Sequence, residues 1–103
     1  MIFFDFNRAQ LKPTEVEKLL SVKDFLKDSS VEVHGYACPV GSSYYNSGLS
    51  AKRAQTVADW LVLHGVKVTK IQGHGETDQF GRTKKDYWLN RRVELKTQRK
   101  GGE

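Results

Sequence analysis

The 103-residue sequence has one cysteine, three histidines and no long apolar run. A single cysteine excludes an internal disulfide and any metal site built from several thiolates. His34, Cys38, His64 and His74 show no ligand-pair spacing from one helix or knuckle, so neither a metal nor a cofactor is expected. The longest apolar patch, Trp60-Leu61-Val62-Leu63, is too short to cross a bilayer and reads as one face of a helix. The domain itself is therefore not expected to be membrane-inserted. No signal peptide is visible at the strand-like start Met1-Ile2-Phe3-Phe4. The sequence reads as a domain whose export signal or anchor lies outside it, in a membrane-anchored parent protein. Internal repeats and low-complexity blocks are missing as well. Acidic residues are the minority, 12 against 17 basic ones, which leaves a formal charge of +5. That balance suits an anionic partner without naming it. Nucleic acid is not expected: Arg91-Arg92 and Lys84-Lys85 are scattered pairs, with no groove-reading motif or stacking platform beside them.

What is present is enough for one domain, placed at residues 1–96, with residues 97–103 expected as a frayed basic tail. Ile2-Phe3-Phe4-Asp5-Phe6 is aromatic and β-prone. Pro13 suits the first turn of a helix. From Thr14 to Lys27, Val16, Leu19, Leu20, Val22 and Leu26 recur at helical spacing. Val31-Glu32-Val33-His34-Gly35-Tyr36 alternates as a strand does. Ala37 to Gly48 reads as a loop. A second helix is expected from about Leu49 to His64, with Ser50 as candidate N-cap and Gly65 as C-terminal cap. Val66 to Gly73 gives a third strand, and His74 to Asp86 a polar loop ending in a short helical turn through Tyr87-Trp88-Leu89. Arg91 to Lys96 gives the last strand. The order βαβαβ-β predicts an α+β, two-layer sandwich: a mixed four-stranded sheet with two main helices packed on one face.

One residue does not suit its face. Stepping about 100° per residue from Leu49, Arg53 falls at about 40°, between Leu49 and Val57 at about 80°, with Leu61 at about 120°. A guanidinium inside an apolar stripe either snorkels to solvent from the helix mouth or points into a pocket and grips an anion bidentately. Gly41, Ser42, Ser43, Tyr44, Tyr45 and Asn46 are suitable walls and donors for such a pocket, although the same residues are ordinary loop chemistry.

Tyr45-Asn46, Leu49-Ser50, Arg53-Ala54, Val57 and Leu61 together resemble the helix signature of OmpA-like domains of bacterial envelope proteins. Gly73-His74-Gly75-Glu76 resembles that family's G-x-G-E stretch. Asn90-Arg91-Arg92-Val93-Glu94 resembles its terminal strand, and Phe4-Asp5-Phe6 with Leu11-Lys12-Pro13 its opening. The resemblance spans nearly the whole chain. It implies noncovalent binding of peptidoglycan in the periplasm of a Gram-negative bacterium, without catalysis, and anchoring of an envelope protein to the wall. Other envelope proteins are further expected partners. The family recognises the diaminopimelate of the stem peptide. The resemblance assigns its carboxylate to Arg53 and implies a ligand-binding set of Cys38, Gly41, Tyr45, Asn46, Leu49 and Arg53, with Asn90 and Arg92 lining or bracing the same cleft.

At one position the chain departs from the family. Its G-H-T-D-x-x-G is here Gly35-Tyr36-Ala37-Cys38-Pro39-Val40-Gly41, with Cys38 where the ammonium-binding aspartate belongs. A thiol is mostly uncharged at pH 7 and a weak acceptor, so weakened diaminopimelate binding is expected. Glu76 or Asp78, if the two loops are neighbours, is an alternative source of the carboxylate. Cys38 itself reads as an inert loop residue, as a partner for a cysteine elsewhere, or as a thiol activated by Arg53. Two other functions compete: a protein-interaction domain that keeps the fold without wall affinity, and a thiol hydrolase using Cys38, His34 or His74, and Asn90. Three histidines are background, so no enzyme is expected.

Overall fold

A computed structural model describes residues 1–99. In chain order they form β1 (Ile2–Phe3), α1 (Pro13–Leu26), β2 (Ser29–Ala37), α2 (Ser43–Leu63), β3 (Lys67–Glu76), a 3₁₀ helix (Lys84–Asn90) and β4 (Arg92–Arg99). The strands lie in the order β1-β4-β2-β3; β2 and β3 are parallel, and β4 runs antiparallel to both β1 and β2. This is the mixed four-stranded sheet expected from the sequence.

Both helices share one face of that sheet. Leu19 and Leu26 of α1 and Ala54, Val57, Ala58 and Leu61 of α2 join Val31, Val33 and Val93 in one buried cluster. The period-two pleat of β2 turns Val31, Val33, Gly35 and Ala37 toward the helices. Helix α2 lies directly on two glycines. A Cβ at Gly35 would stand 2.2 Å from the Ser50 carbonyl oxygen, and one at Gly73 2.5 Å from the Ala51 nitrogen. Only glycine allows that approach.

Several boundaries differ from the sequence reading. Strand β1 stops at Phe3. Helix α2 starts at Ser43, six residues early, because its N-cap is Ser42, whose Oγ accepts the Tyr45 N–H at 3.1 Å. Ser50 lies inside the helix; its Oγ donates to the Ser47 carbonyl and accepts from the Gly75 N–H at 2.8 Å. At the other end Gly65 has a φ of 85°. Gly65 N–H reaches the Val62 carbonyl and Val66 N–H the Leu61 carbonyl, the paired bonds of a Schellman cap. Strand β3 continues to Glu76, three residues past Gly73.

Helix α1 also packs differently from its apolar spacing. Leu20 and Val22 are exposed while Glu15 is buried, because the Glu15 carboxylate accepts the Phe3 N–H and the Lys18 ammonium, each at 2.8 Å. Thr97, Gln98 and Arg99 were expected to begin the tail; they pair with Val31, Ser30 and Ser29 of β2. The remainder of that tail, residues 100–103, lies outside the described residues.

Candidate functional site

Arg53 is the largest side chain among the fully buried residues. Helix α2 aims it under the end of β2. Its Nη1 donates to the Tyr36 carbonyl at 3.0 Å, its Nη2 to the Asp5 carbonyl at 3.1 Å and its Nε to the Arg8 carbonyl at 2.8 Å. The guanidinium therefore ties the turn after β1 to the residue that leads into the cysteine loop. It does not snorkel to solvent. It also stands over the Phe4 ring, 5.4 Å from the centroid. Burial lowers its pKa to about 10; Cys38 opposes that shift, Arg91 adds to it and Tyr45 opposes it. Among the described residues no carboxylate pairs with it. A guanidinium has five N–H donors, and three have named acceptors.

The loop above it holds the other expected residues. Cys38 is buried and is a free thiol. Gly41 has a φ of 92°, and a Cβ there would meet nothing within 4 Å, so left-handed backbone rather than crowding by the protein selects glycine. Asn46 is buried, and its Nδ2 donates to both the Val40 carbonyl and Glu76 Oε1, each at 3.0 Å. Leu49 is buried one turn further on. Tyr45 is half exposed, and its hydroxyl donates to Asn7 Oδ1.

Arg53, Cys38, Gly41, Tyr45, Asn46 and Leu49 thus gather at one end of the sheet, around the loop from β2 to α2. Asn90 and Arg92 have other engagements. Asn90 Oδ1 accepts from the Phe80 and Gly81 N–H groups, and Asn90 Nδ2 donates to the Gly81 main-chain carbonyl at 2.8 Å. Asn90 clasps the loop between β3 and the 3₁₀ helix. Arg92 lies 3.4 Å over the Phe80 ring and donates to Glu94, on the sheet face away from the helices.

That opposite face carries a column of aromatic and ionisable groups. His34 Nδ1 and His74 Nε2 are 2.7 Å apart, and His34 Nε2 meets Glu32 at 2.9 Å. Tyr36 stacks on His74 and meets the Phe80 ring edge to face. Although His74 is partly exposed, desolvation against the stacked His34 and Tyr36 rings holds its imidazole below the usual value, with His34, Lys96 and Lys70 acting in the same sense and Glu94 against it. Burial and Glu94 raise the Tyr36 phenol. The two histidines partner each other and not the cysteine in these hydrogen bonds.

Two participants escaped the sequence reading. Arg91 acts on the charge of Arg53 while its own Nε donates to the Phe4 carbonyl at 2.8 Å. The acceptors of Arg53 are main-chain oxygens, which carry no residue signature.

A two-layer sheet of this order, with a buried arginine from α2 under the loop after β2, defines an OmpA-like domain. The OmpA family profile matches residues 3–91, and the chain belongs to that family. It is 43% identical over 79 residues to Outer membrane protein A of Escherichia fergusonii, aligning 72% of this chain with 32% of that protein. The chain spans about a third of that relative's length or less among the similar relatives. The peptidoglycan-associated lipoprotein of Burkholderia pseudomallei superposes with a TM-score of 0.83 at 26% identity, covering 94% of this chain and 88% of that one. The OmpA-like domain of FopA1 from Francisella tularensis gives 0.80 at 33% identity, covering 95% and 70%. The C-terminal domain of Helicobacter pylori MotB shares the fold at 18% identity with a TM-score of 0.78, covering 97% and 84%.

Proposed function

We propose that this domain binds peptidoglycan noncovalently in the periplasm and tethers a membrane-anchored parent protein to the wall, with Arg53 taking a carboxylate of the stem-peptide diaminopimelate. The observation that carries this reading is the setting of Arg53. It is a fully buried cation without a carboxylate partner among the described residues. Burying a charge without a counterion is costly. Three carbonyl dipoles offset part of that cost, and a ligand carboxylate completes the pairing through the remaining N–H donors. The Burkholderia neighbour is a peptidoglycan-associated lipoprotein, which agrees with the ligand class. A carboxylate restored at position 38 is expected to add a charge-assisted hydrogen bond, about 1.5–3 kcal/mol, to what the present loop offers the ligand's ammonium.

The same geometry also favours a second reading. Arg53 is closed off from solvent and all three named bonds go to backbone, as in a structural clasp. On that reading the domain keeps the fold and meets other envelope proteins instead of the wall. Co-sedimentation with isolated sacculi separates the two. The wall reading expects the parent to pellet, Cys38→Asp to pellet at lower sacculus concentration, and Arg53→Lys, which keeps the charge without the planar fork, to remain in solution while folded. A parent that stays in the supernatant favours the clasp.

A further inference from the structure

The site lacks a carboxylate on the cysteine loop, yet the fold brings one to it from another strand. Strand β3 does not end at Gly73. It runs on until Glu76 lies beside Ala37, with the Thr77 N–H bonded to the Ala37 carbonyl at 2.9 Å. Gly75, at a φ of 77°, turns the chain there, and its N–H is fastened to Ser50 Oγ on α2. The Glu76 side chain then meets Asn46. The Asn46 amide has two protons, and it gives them to the loop at Val40 and to Glu76 Oε1, each at 3.0 Å. One buried side chain thereby fixes the cysteine loop and the Glu76 carboxylate to each other.

Glu76 is exposed, and among the described residues it forms no ion pair, in a chain of net charge +5. Its Oε2 has no named partner. A carboxylate held by a single neutral amide, with lone pairs toward solvent, accepts from an ammonium. Arg53 lies seven residues after Asn46 on the same face of α2, two turns along. It and Glu76 engage consecutive residues of β2, Tyr36 and Ala37. A cation and an anion at the base of one loop match the opposite charges of an amino-acid head group.

The geometry points to Glu76, positioned by Asn46, as the acceptor for the ligand's ammonium, in place of a carboxylate at position 38. The assignment rests on the wall-binding reading above. Asn46 acts through Glu76 and is a positioning residue. Glu76→Gln is the sharpest variant, since glutamine keeps an oxygen for Asn46 and removes only the charge.

The test titrates two probes into the domain by calorimetry: a stem tripeptide ending in meso-diaminopimelate, and the same tripeptide with the distal amine acetylated. The parent is expected to prefer the free amine by about ten- to a hundredfold, the span of one charge-assisted hydrogen bond. Glu76→Gln is expected to bind both probes alike, and Cys38→Asp/Glu76→Gln to regain the preference. Glu76→Asp, which keeps the charge but withdraws it by one methylene, is expected to shrink the preference and serves if Glu76→Gln folds poorly. A Glu76→Gln protein that keeps the full preference overturns the assignment while leaving wall binding intact. A parent that binds both probes equally overturns it as well. A parent that binds neither overturns the wall reading and the Glu76 assignment with it.

Discussion

Arg53 Nη1 donates to the Tyr36 carbonyl at 3.0 Å, so a side chain from the middle of α2 holds the residue that leads into the cysteine loop. The same head holds Asp5 and Arg8. Truncation strands three carbonyls and opens a cavity. Arg53→Ala is expected to lose about 3–4 kcal/mol, read from the urea midpoint. A loss below about 1 kcal/mol would show that the three bonds contribute little to stability.

Asn90 makes a comparable clasp with a different loop. It is fully buried and makes three bonds to Phe80 and Gly81. Asn90→Ala is expected to cost about 2–3 kcal/mol. Asn90→Asp keeps the two accepted bonds and opposes a carboxylate to the Gly81 carbonyl, so its loss is expected to grow as pH rises. Equal stability of Asn90→Ala and parent would contradict the clasp.

Close approach of α2 to the sheet makes a third prediction. A methyl at Gly35 meets main-chain atoms of α2 at 2.2 Å and 3.0 Å. Backbone cannot swing aside as a side chain does, so Gly35→Ala is expected to cost more than about 3 kcal/mol, or to prevent folding. A soluble Gly35→Ala protein with the parent's melting temperature would show that the helix sits further from the sheet.

Acid should destabilise the domain in two separate windows. The fold holds His74 below its ordinary 6.5, so it favours the neutral ring. That contribution is present above about 6.5 and fades as pH falls through the folded value. Glu15 behaves the same way lower down. Burial opposes its ionisation, but bonds from Lys18 and the Phe3 N–H prevail and leave it under 4.5. Its contribution is present above that value and is lost as pH falls through the lowered one. Melting curves from about pH 7 to pH 3 are expected to show both declines. His74→Gln should flatten the upper one and Glu15→Gln the lower one. Unchanged profiles would refute the assignments.

The fold was legible where the signal is local. The alternation from Val31 to Tyr36 faces Val31 and Val33 into the core, and the wheel through Leu49, Val57 and Leu61 marks the buried face of α2. Ser42 and Ser50 are equally good caps by type, and only the bond to the Tyr45 N–H separates them. The burial of Glu15 depends on Phe3, twelve residues away, and insertion of β4 between β1 and β2 depends on pairings with no sequence mark. At the site, the apolar stripe betrayed Arg53, but its acceptors could not be read because carbonyls belong to every residue. The link from Glu76 to Asn46 spans 30 positions and became visible only when β3 proved longer than its alternation.

The central claim is that the Arg53 guanidinium receives a ligand carboxylate. Titration of the ¹⁵N-labelled domain with the diaminopimelate tripeptide observes that group directly, through its Nε–H resonance. Saturable movement of the Arg53 Nε–H, together with the amides from Tyr36 to Gly41, is the predicted result. An Arg53 Nε–H that stays in place under ligand concentrations that saturate the protein would contradict the account.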